Sequence, residues 1–467
     1  MRRRLPVFAI CWIAALCSAA DVQSPAFAAS DLFQMNKIWN VHFIFTAEQF
    51  KAMQPRFGGE NRSAAPGASW LQGSEGKRNG LASARGIEFN YAKAALDFEG
   101  VLLRDVGVRY KGNGTFLNSE GSNKLSLKVH FNEFVKGQKF AGVKTLNLHN
   151  QVTDASYMNE VLSYWLFRNA LVPAPRTAYA RVSITVPGQF RRKYLGLYVL
   201  TENIDERFFE ERSNGKSGAI FKPVTAELFY DRGTDWKKYN QAYDPKTELT
   251  AAQKNRVFAF AKLLTNASDS EFRAKVSAFI DLEALARHMA VMMMLVNLDS
   301  ILTNGQNYYM YLNPKTNLFE FLPWDQDHSF GQFNRAMKNT ANLSIQHPWG
   351  ARNAFLERMF AVPAFQRLYM ARINEFNNTI FQPGLFAKQV DLLAPVLRPA
   401  VQEESSQRLG NFDKAAAGKE FDRPSSGILR GPSRSIKEFT AARHKSLVEQ
   451  AAGRSVGELV NDFGFRR

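Results

Sequence analysis

The chain has 467 residues, 45% of them hydrophobic and 13% aromatic, with 60 Lys and Arg against 43 Asp and Glu for a net charge of +17. That length and apolar content exclude a disordered chain and allow a sizeable core in one large or two ordinary domains. The positive balance favours acidic partners, among them nucleotides, acidic or phosphorylated proteins, anionic glycans and membrane surfaces. No dense Lys/Arg block is interleaved with stacking aromatics, which argues against nucleic acid.

Residues 1–28 read as a secretory signal peptide: Arg2, Arg3 and Arg4 precede the apolar run "LPVFAICWIAALCSAA", and "AFA" ends at Ala28. Cleavage after Ala28, with Ala20 the alternative, would export the chain to a periplasm, a cell surface or the exterior. The run is shorter than the roughly 20 residues that a span needs, so no stable transmembrane anchor is expected. Cys11 and Cys17 both lie in this leader, which leaves the cleaved product without a disulfide or a cysteine-ligated metal. Losing three arginines and Asp21 would lower the net charge from +17 to +15.

Residues 29–84 predict a strand running into a helix near Thr46, then a long Gly/Ser/Ala-rich loop from Arg56 to Ala84. Residues 85–205 predict a β-rich lobe. "YAKAALDFEG" and "VLLRDVGVRYKGNG" form a hairpin turning at Glu99 and Gly100, and "NKLSLKVHFN" adds a third strand. A helix over 156–169 with Asp154 as its cap follows, then the strands "AYARVSITV" and "KYLGLYVLTENI". Residues 206–467 predict a mainly helical lobe, with helices near 251–265, 281–296, 353–376, 384–395 and 435–452. The whole is an α+β chain of two lobes, and the cleft between such lobes is a natural ligand site.

Oxygen ligands concentrate in "NLDSILTNGQNYYMYLNPKTNLFEFLPWDQDHSFG". The helix over 281–296 places Asp299 just beyond its end, and its triple methionine reads as core filler. "NYYMYLN" and "LFEFLPW" form a hairpin that sets Asn307 at its start and Asp325 and Asp327 beyond its end, folded back near Asp299. Hard divalent cations take such carboxylate and amide oxygens. His328 and His288 read as structural residues, and the absence of HExxH and GxSxG argues against common zinc proteases and α/β-hydrolases.

With "DVGVRYKGNGTF", "KLSLKVHF", "LNLHNQVTDASYMNEVLSYWLFR", "PAPRTAYARVSI" and "YLGLYVLTENID" upstream, and "SIKEFTAARHKSLVEQ" near the end, these segments resemble the CotH kinase family, the spore-coat protein H family, over residues 85–450. The resemblance implies a two-lobed atypical protein-kinase-like fold that uses ATP with Mg²⁺ or Mn²⁺ to phosphorylate Ser or Thr hydroxyls of a protein, one whose surface is acidic being favoured by the charge. It implies Asp299 as the catalytic aspartate and Asp325 as the metal ligand, with Asp327 sharing or exchanging that role. Asn307 is the amide ligand by its "NYY" context, and Asn304 is the alternative by spacing. An ATP site needs a cation on the phosphates, oriented by a helix carboxylate. Lys128 with Glu160 fits that order; Lys111 and Lys124 are alternatives. The backbone at Glu202 and Asn203, where a hinge would leave the first lobe, is placed to meet adenine. Two other readings remain open: nucleotidyl transfer on the same fold, and a non-catalytic envelope or surface binding protein.

Overall fold

A computed structural model describes residues 27–58, 71–119, 122–213, 218–334, 337, 339–350, 353–422 and 432–461. The predicted leader, apart from its last two residues, lies outside the described residues.

Seven strands close into a barrel. They are β1 (Ile38–Ile44), β2 (Ala92–Phe98), β3 (Val101–Tyr110), β4 (Leu127–His130), β5 (Thr145–His149), β6 (Thr177–Val186) and β7 (Phe190–Glu202). Their order around the barrel is β1-β2-β3-β4-β5-β7-β6, and β1 closes it by pairing antiparallel with β2 and parallel with β6. Alternation directs Val41, Phe43, Leu96, Phe98, Val106, Val108, Val182 and Tyr198 inward to one core, as a closed sheet requires. The β2–β3 hairpin turns at Glu99 and Gly100, both at positive φ (51° and 86°), the twist that tight two-residue hairpins favour.

Helix α1 (Asn159–Asn169) interrupts the barrel between β5 and β6. It starts three residues later than the periodicity suggests. Asp154 still holds its first turn, accepting the Asn159 amide at 2.8 Å and the Ser156 amide at 2.8 Å. Although α1 belongs to the first half of the chain, Val161, Leu162, Tyr164, Leu166 and Phe167 sit in the core of the second lobe with Met289 and Met293.

The second lobe holds a three-stranded antiparallel sheet of β8 (Ala219–Phe221), β9 (Tyr308–Leu312) and β10 (Phe319–Pro323), with β9 in the middle. Its main helices are α2 (Ala251–Asn266), α3 (Leu282–Leu295), α4 (Pro363–Asn378), α5 (Pro383–Glu404), α6 (Ser406–Ala416) and α7 (Ile436–Ala451). Caps set several starts: Thr250, Asp281 and Ser435 each accept a first-turn amide. The helix expected over 353–376 is two, Ala354–Phe360 and α4, because Pro363 starts a new one at its first position. The helix expected over 384–395 runs on to Glu404 through Pro395 and Pro399.

The stretch expected as a long loop carries a short helix, Leu81–Arg85, and residues that reach the second lobe. Gln72 Nε2 donates to the Val224 carbonyl at 2.6 Å, and Asn79 Nδ2 donates to the Gln241 carbonyl at 2.6 Å. Its described part thereby packs on the second lobe and lines the cleft between the lobes.

Candidate functional site

A cavity of about 2110 Å³ lies between the barrel and the helical lobe. Its acidic wall comes from the ends of α3, β9 and β10. Helix α3 stops where Val296 turns left-handed (φ 47°), and the Asn297 side chain then accepts the Asp299 amide at 3.0 Å. Asp299 is gripped by amides: Gln306 Nε2 donates to Oδ1 at 2.9 Å, Asn307 Nδ2 donates to Oδ2 at 3.1 Å, and Asn304 Nδ2 also donates to Oδ1. These donors fix the carboxylate's direction, and none supplies a counter-charge. Gly305 makes the loop possible: at φ 67° a Cβ there would lie 2.1 Å from the Thr225 carbonyl oxygen.

Asp325 follows β10 at φ 54°, and its amide donates to the buried Tyr164 hydroxyl at 3.0 Å. Among the described residues no side chain hydrogen-bonds its carboxylate. Asp327 is buried and accepts from Thr153 Oγ1 at 2.9 Å, while its carbonyl accepts from Asn159 Nδ2 at 2.9 Å. Burial first, and then Asp325, raise the pKa values of both Asp327 and Glu160. Glu160 is fully buried on α1 and takes hydrogen bonds from His149 Nδ1 (2.8 Å), Gln151 Nε2 (3.1 Å) and Thr201 Oγ1 (3.4 Å).

Cations gather in the same cavity. Lys111 and Arg109 come from the end of β3, and Lys222 and Lys246 from the second lobe; all four line the cavity. Lys111 and Lys222 share the Trp324 ring, each ammonium 5.2 Å from its centroid. Burial, then Lys246, holds Lys222 down to about 8, and burial, then Arg109 and Lys222, holds Lys128 down to about 8. Lys111 is also lowered, by burial first, with Asp325 pulling the other way. Lys246 is paired with Asp244 at 2.7 Å, whereas Lys111, Lys128 and Lys222 are buried close to one another, a cluster whose charged forms a polyanion would favour.

The donor set fits a hard divalent cation. Asp325 offers a free carboxylate, Asn307 spends its amide hydrogens on Asp299 and leaves its oxygen, and the Asn304 amide oxygen is buried without a partner. Among the described residues no cluster of three or more His, Cys, Asp or Glu could hold a metal alone. An ion here would complete its shell with water or phosphate oxygens, as Mg²⁺ usually does.

Of the residues singled out in the sequence, Asp299, Asn304, Asn307, Asp325, Asp327 and Lys111 line this one cavity. Glu160 lies behind it, reaching Lys111 through His149, and Lys128 lies beside Arg109 in the β3–β4 register. Lys124 is turned away: its ammonium sits 2.8 Å from both oxygens of Glu404 on α5. Glu202 is held by Arg176 (2.5 Å) and Arg212 (2.7 Å), and Asn203 bonds Asn147 and Asp205; neither lines the cavity. Sequence reasoning missed His149, Lys222 and Lys246. Lys222 follows a three-residue strand, too short to show a period, and His149 ends the alternating run "TLNLH", whose length and composition mark a strand and nothing more.

A β-barrel lobe and a helical lobe, with lysines, carboxylates and amides lining the cleft between them, define a two-lobed α+β protein of kinase-like organisation. A family model described as CotH kinase protein matches residues 108–447, and the chain belongs to that family. It is 22% identical over 306 residues to the inner spore coat protein H of Bacillus subtilis (strain 168), covering 64% of this chain and 78% of the relative. Among solved structures it is matched by a chain from the HipA, HipB and operator DNA complex of the Shewanella oneidensis MR-1 toxin–antitoxin system. That match has 11% identity and a TM-score of 0.24, covering 70% of this chain and 58% of that one.

Proposed function

We propose that the chain is an exported protein kinase that binds ATP in the inter-lobe cavity and transfers its γ-phosphoryl group to a Ser or Thr hydroxyl of a protein. The observation that carries this reading is the meeting, in one cavity, of clustered cations (Arg109, Lys111, Lys222, Lys246) with Asp325, whose carboxylate no side chain among the described residues hydrogen-bonds. A triphosphate is the ligand class that satisfies the first, and a phosphate-bound divalent ion satisfies the second. Asp325 and Asn307 would hold Mg²⁺ or Mn²⁺, which when bound would neutralise charge on the phosphates. Asp299, held by three amides and no cation, is disposed to orient the acceptor hydroxyl and take its proton as the new P–O bond forms and ADP departs. The cavity exceeds the few hundred to 1,000 Å³ of usual small-ligand sites, which leaves room for an acceptor segment. The basic balance of the chain favours an acidic acceptor protein. The relative named for the inner spore coat supports a coat or surface location.

Thermal unfolding of the chain with and without Mn²⁺–ATP tests this without knowledge of the acceptor. A ligand at a hundred times its dissociation constant stabilises the fold by about 2.7 kcal/mol. The parent is expected to shift and Asp325→Asn not to; absence of a shift with any nucleotide and metal in the parent sinks the enzyme reading in favour of a binding role. Once an acceptor is found, its added mass separates phosphoryl from nucleotidyl transfer.

A further inference from the structure

Lys111 Nζ lies 2.6 Å from Nε2 of His149 and 3.3 Å from Oδ1 of Asn147. The other ring nitrogen, Nδ1, faces both oxygens of Glu160, at 2.8 and 2.9 Å. His149 is the last residue of β5 and is buried, and its ring stands edge-on to Trp324 at 5.8 Å between centroids, one residue before Asp325. Lys111 and Glu160 are both in reach of the imidazole, and among the described residues no direct bond joins them.

One placement of hydrogens satisfies all three groups. With Glu160 ionised, Nδ1–H donates to the carboxylate, and the Nε2 lone pair then accepts from the Lys111 ammonium. Gln151 and Thr201 supply further donors to Glu160, and such donors oppose the rise that burial and Asp325 impose on its pKa. Burial and the Lys111 charge keep the imidazole neutral, as this arrangement needs.

We propose that His149 is a positioning residue: it carries the hold of Glu160 on α1 to the ammonium of Lys111 and aims that ammonium at the phosphates, in place of a direct lysine–carboxylate pair. The aim at phosphate rests on the nucleotide reading above; the hold on Lys111 does not. Trp324, touched by His149, Lys111 and Lys222 alike, ties this relay to the strand end that carries Asp325.

Two measurements on the full-length chain separate these parts. The first uses no nucleotide: reductive methylation followed by peptide mass mapping reads the reactivity of Lys111. His149→Phe keeps a ring against Trp324 and removes both nitrogens, and is expected to raise Lys111 labelling severalfold. His149→Gln, which keeps one acceptor, is expected to restore part of the protection. Labelling unchanged in folded His149→Phe overturns the proposal whatever the ligand. The second is Mn²⁺–ATP affinity in a double-mutant cycle. His149→Phe and Lys111→Met are each expected to weaken binding about tenfold or more, and the double variant no further than Lys111→Met alone. Additive losses overturn the relay, whereas a parent that binds no nucleotide overturns the reading beneath it and leaves the labelling result to decide the hold.

Discussion

Asn307 and Asp325 flank one rung of the β9–β10 hairpin: the Asn307 carbonyl accepts the Trp324 amide at 3.2 Å, and both residues are left-handed, at φ 62° and 54°. Asn and Asp take left-handed backbone at lower cost than other side chains with a Cβ, and it persists where the surroundings hold it. Here the two-stranded frame and the Tyr164 hydroxyl enforce it, and the result is a carboxylate and an amide on the same side of the cleft.

Asp325 acts on its neighbours in two directions: it raises the pKa values of Glu160 and Asp327 and favours the charged forms of Lys111 and Lys222. Asp325→Asn keeps the shape and tolerates the same backbone while removing one negative charge from this group. The variant is expected to stay within about 1 kcal/mol of the parent in the absence of ligand, because relief of Glu160 and Asp327 is offset by loss of the charge that favours protonated Lys111 and Lys222. It is expected to lose the Mn²⁺–ATP shift. Paired denaturant melts check both halves, and a change of several kcal/mol in either direction would contradict this balance.

Lys222 and Lys128 sit near 8 because burial and neighbouring cations disfavour their charged forms. A bound triphosphate favours those charged forms, so their pKa values rise on binding. Affinity is therefore greatest below about pH 8 and falls above it, by up to about tenfold per pH unit for each lysine. Calorimetry at pH 8.5 in buffers of different ionisation enthalpy should register proton uptake, and Lys222→Met should reduce it.

Glu404, at the end of α5, accepts from Lys124 Nζ, the Tyr157 hydroxyl (2.9 Å) and the Leu197 amide (2.6 Å), and so fastens the helical lobe to the barrel. Glu404→Gln leaves the Lys124 ammonium buried without a counter-charge, which is expected to cost about 3–5 kcal/mol. Adding Lys124→Met should recover part of that loss. Equilibrium unfolding of the two single variants and the double variant tests the coupling; equal and additive losses would mean that the pair does not act as a unit.

His288 is buried on α3 against Phe167 and Phe321, and neither ring nitrogen has a hydrogen-bond partner. Burial drops its pKa from 6.5 to about 3. The unfolded chain takes up a proton below pH 6.5 that the folded chain refuses, so stability falls on acidification between those values, by about 1.4 kcal/mol per pH unit. His288→Leu should flatten that part of the stability profile, as read from melts between pH 4 and 7.

Much of this was legible because it is local. The β9–β10 hairpin, the end of α3 and the turn at Glu99 and Gly100 each follow from residues close in sequence, and they bring Asp299, Asn307 and Asp325 together. The choice among Lys111, Lys124 and Lys128 was not, since all three sit on or beside neighbouring strands and alternation gives each a defensible direction. What separates them is distant: Glu404 takes Lys124, and His149 reaches Lys111. Lys222 escaped notice for a similar reason, because β8 gains its identity only by pairing with β9.

The family match begins at residue 108, inside β3, whereas the barrel begins at Ile38. Strand β1 meets β2 on one side and β6 on the other, some 140 positions later in the chain. A fragment trimmed to the matched region would lose β1 and β2 and part of β3, exposing raw sheet edges with unpaired amides and carbonyls and a row of apolar side chains once turned inward. Such edges recruit other chains. The shortest well-behaved unit of this protein is therefore set by hydrogen-bond closure, and it starts well before the region by which its relatives are recognised.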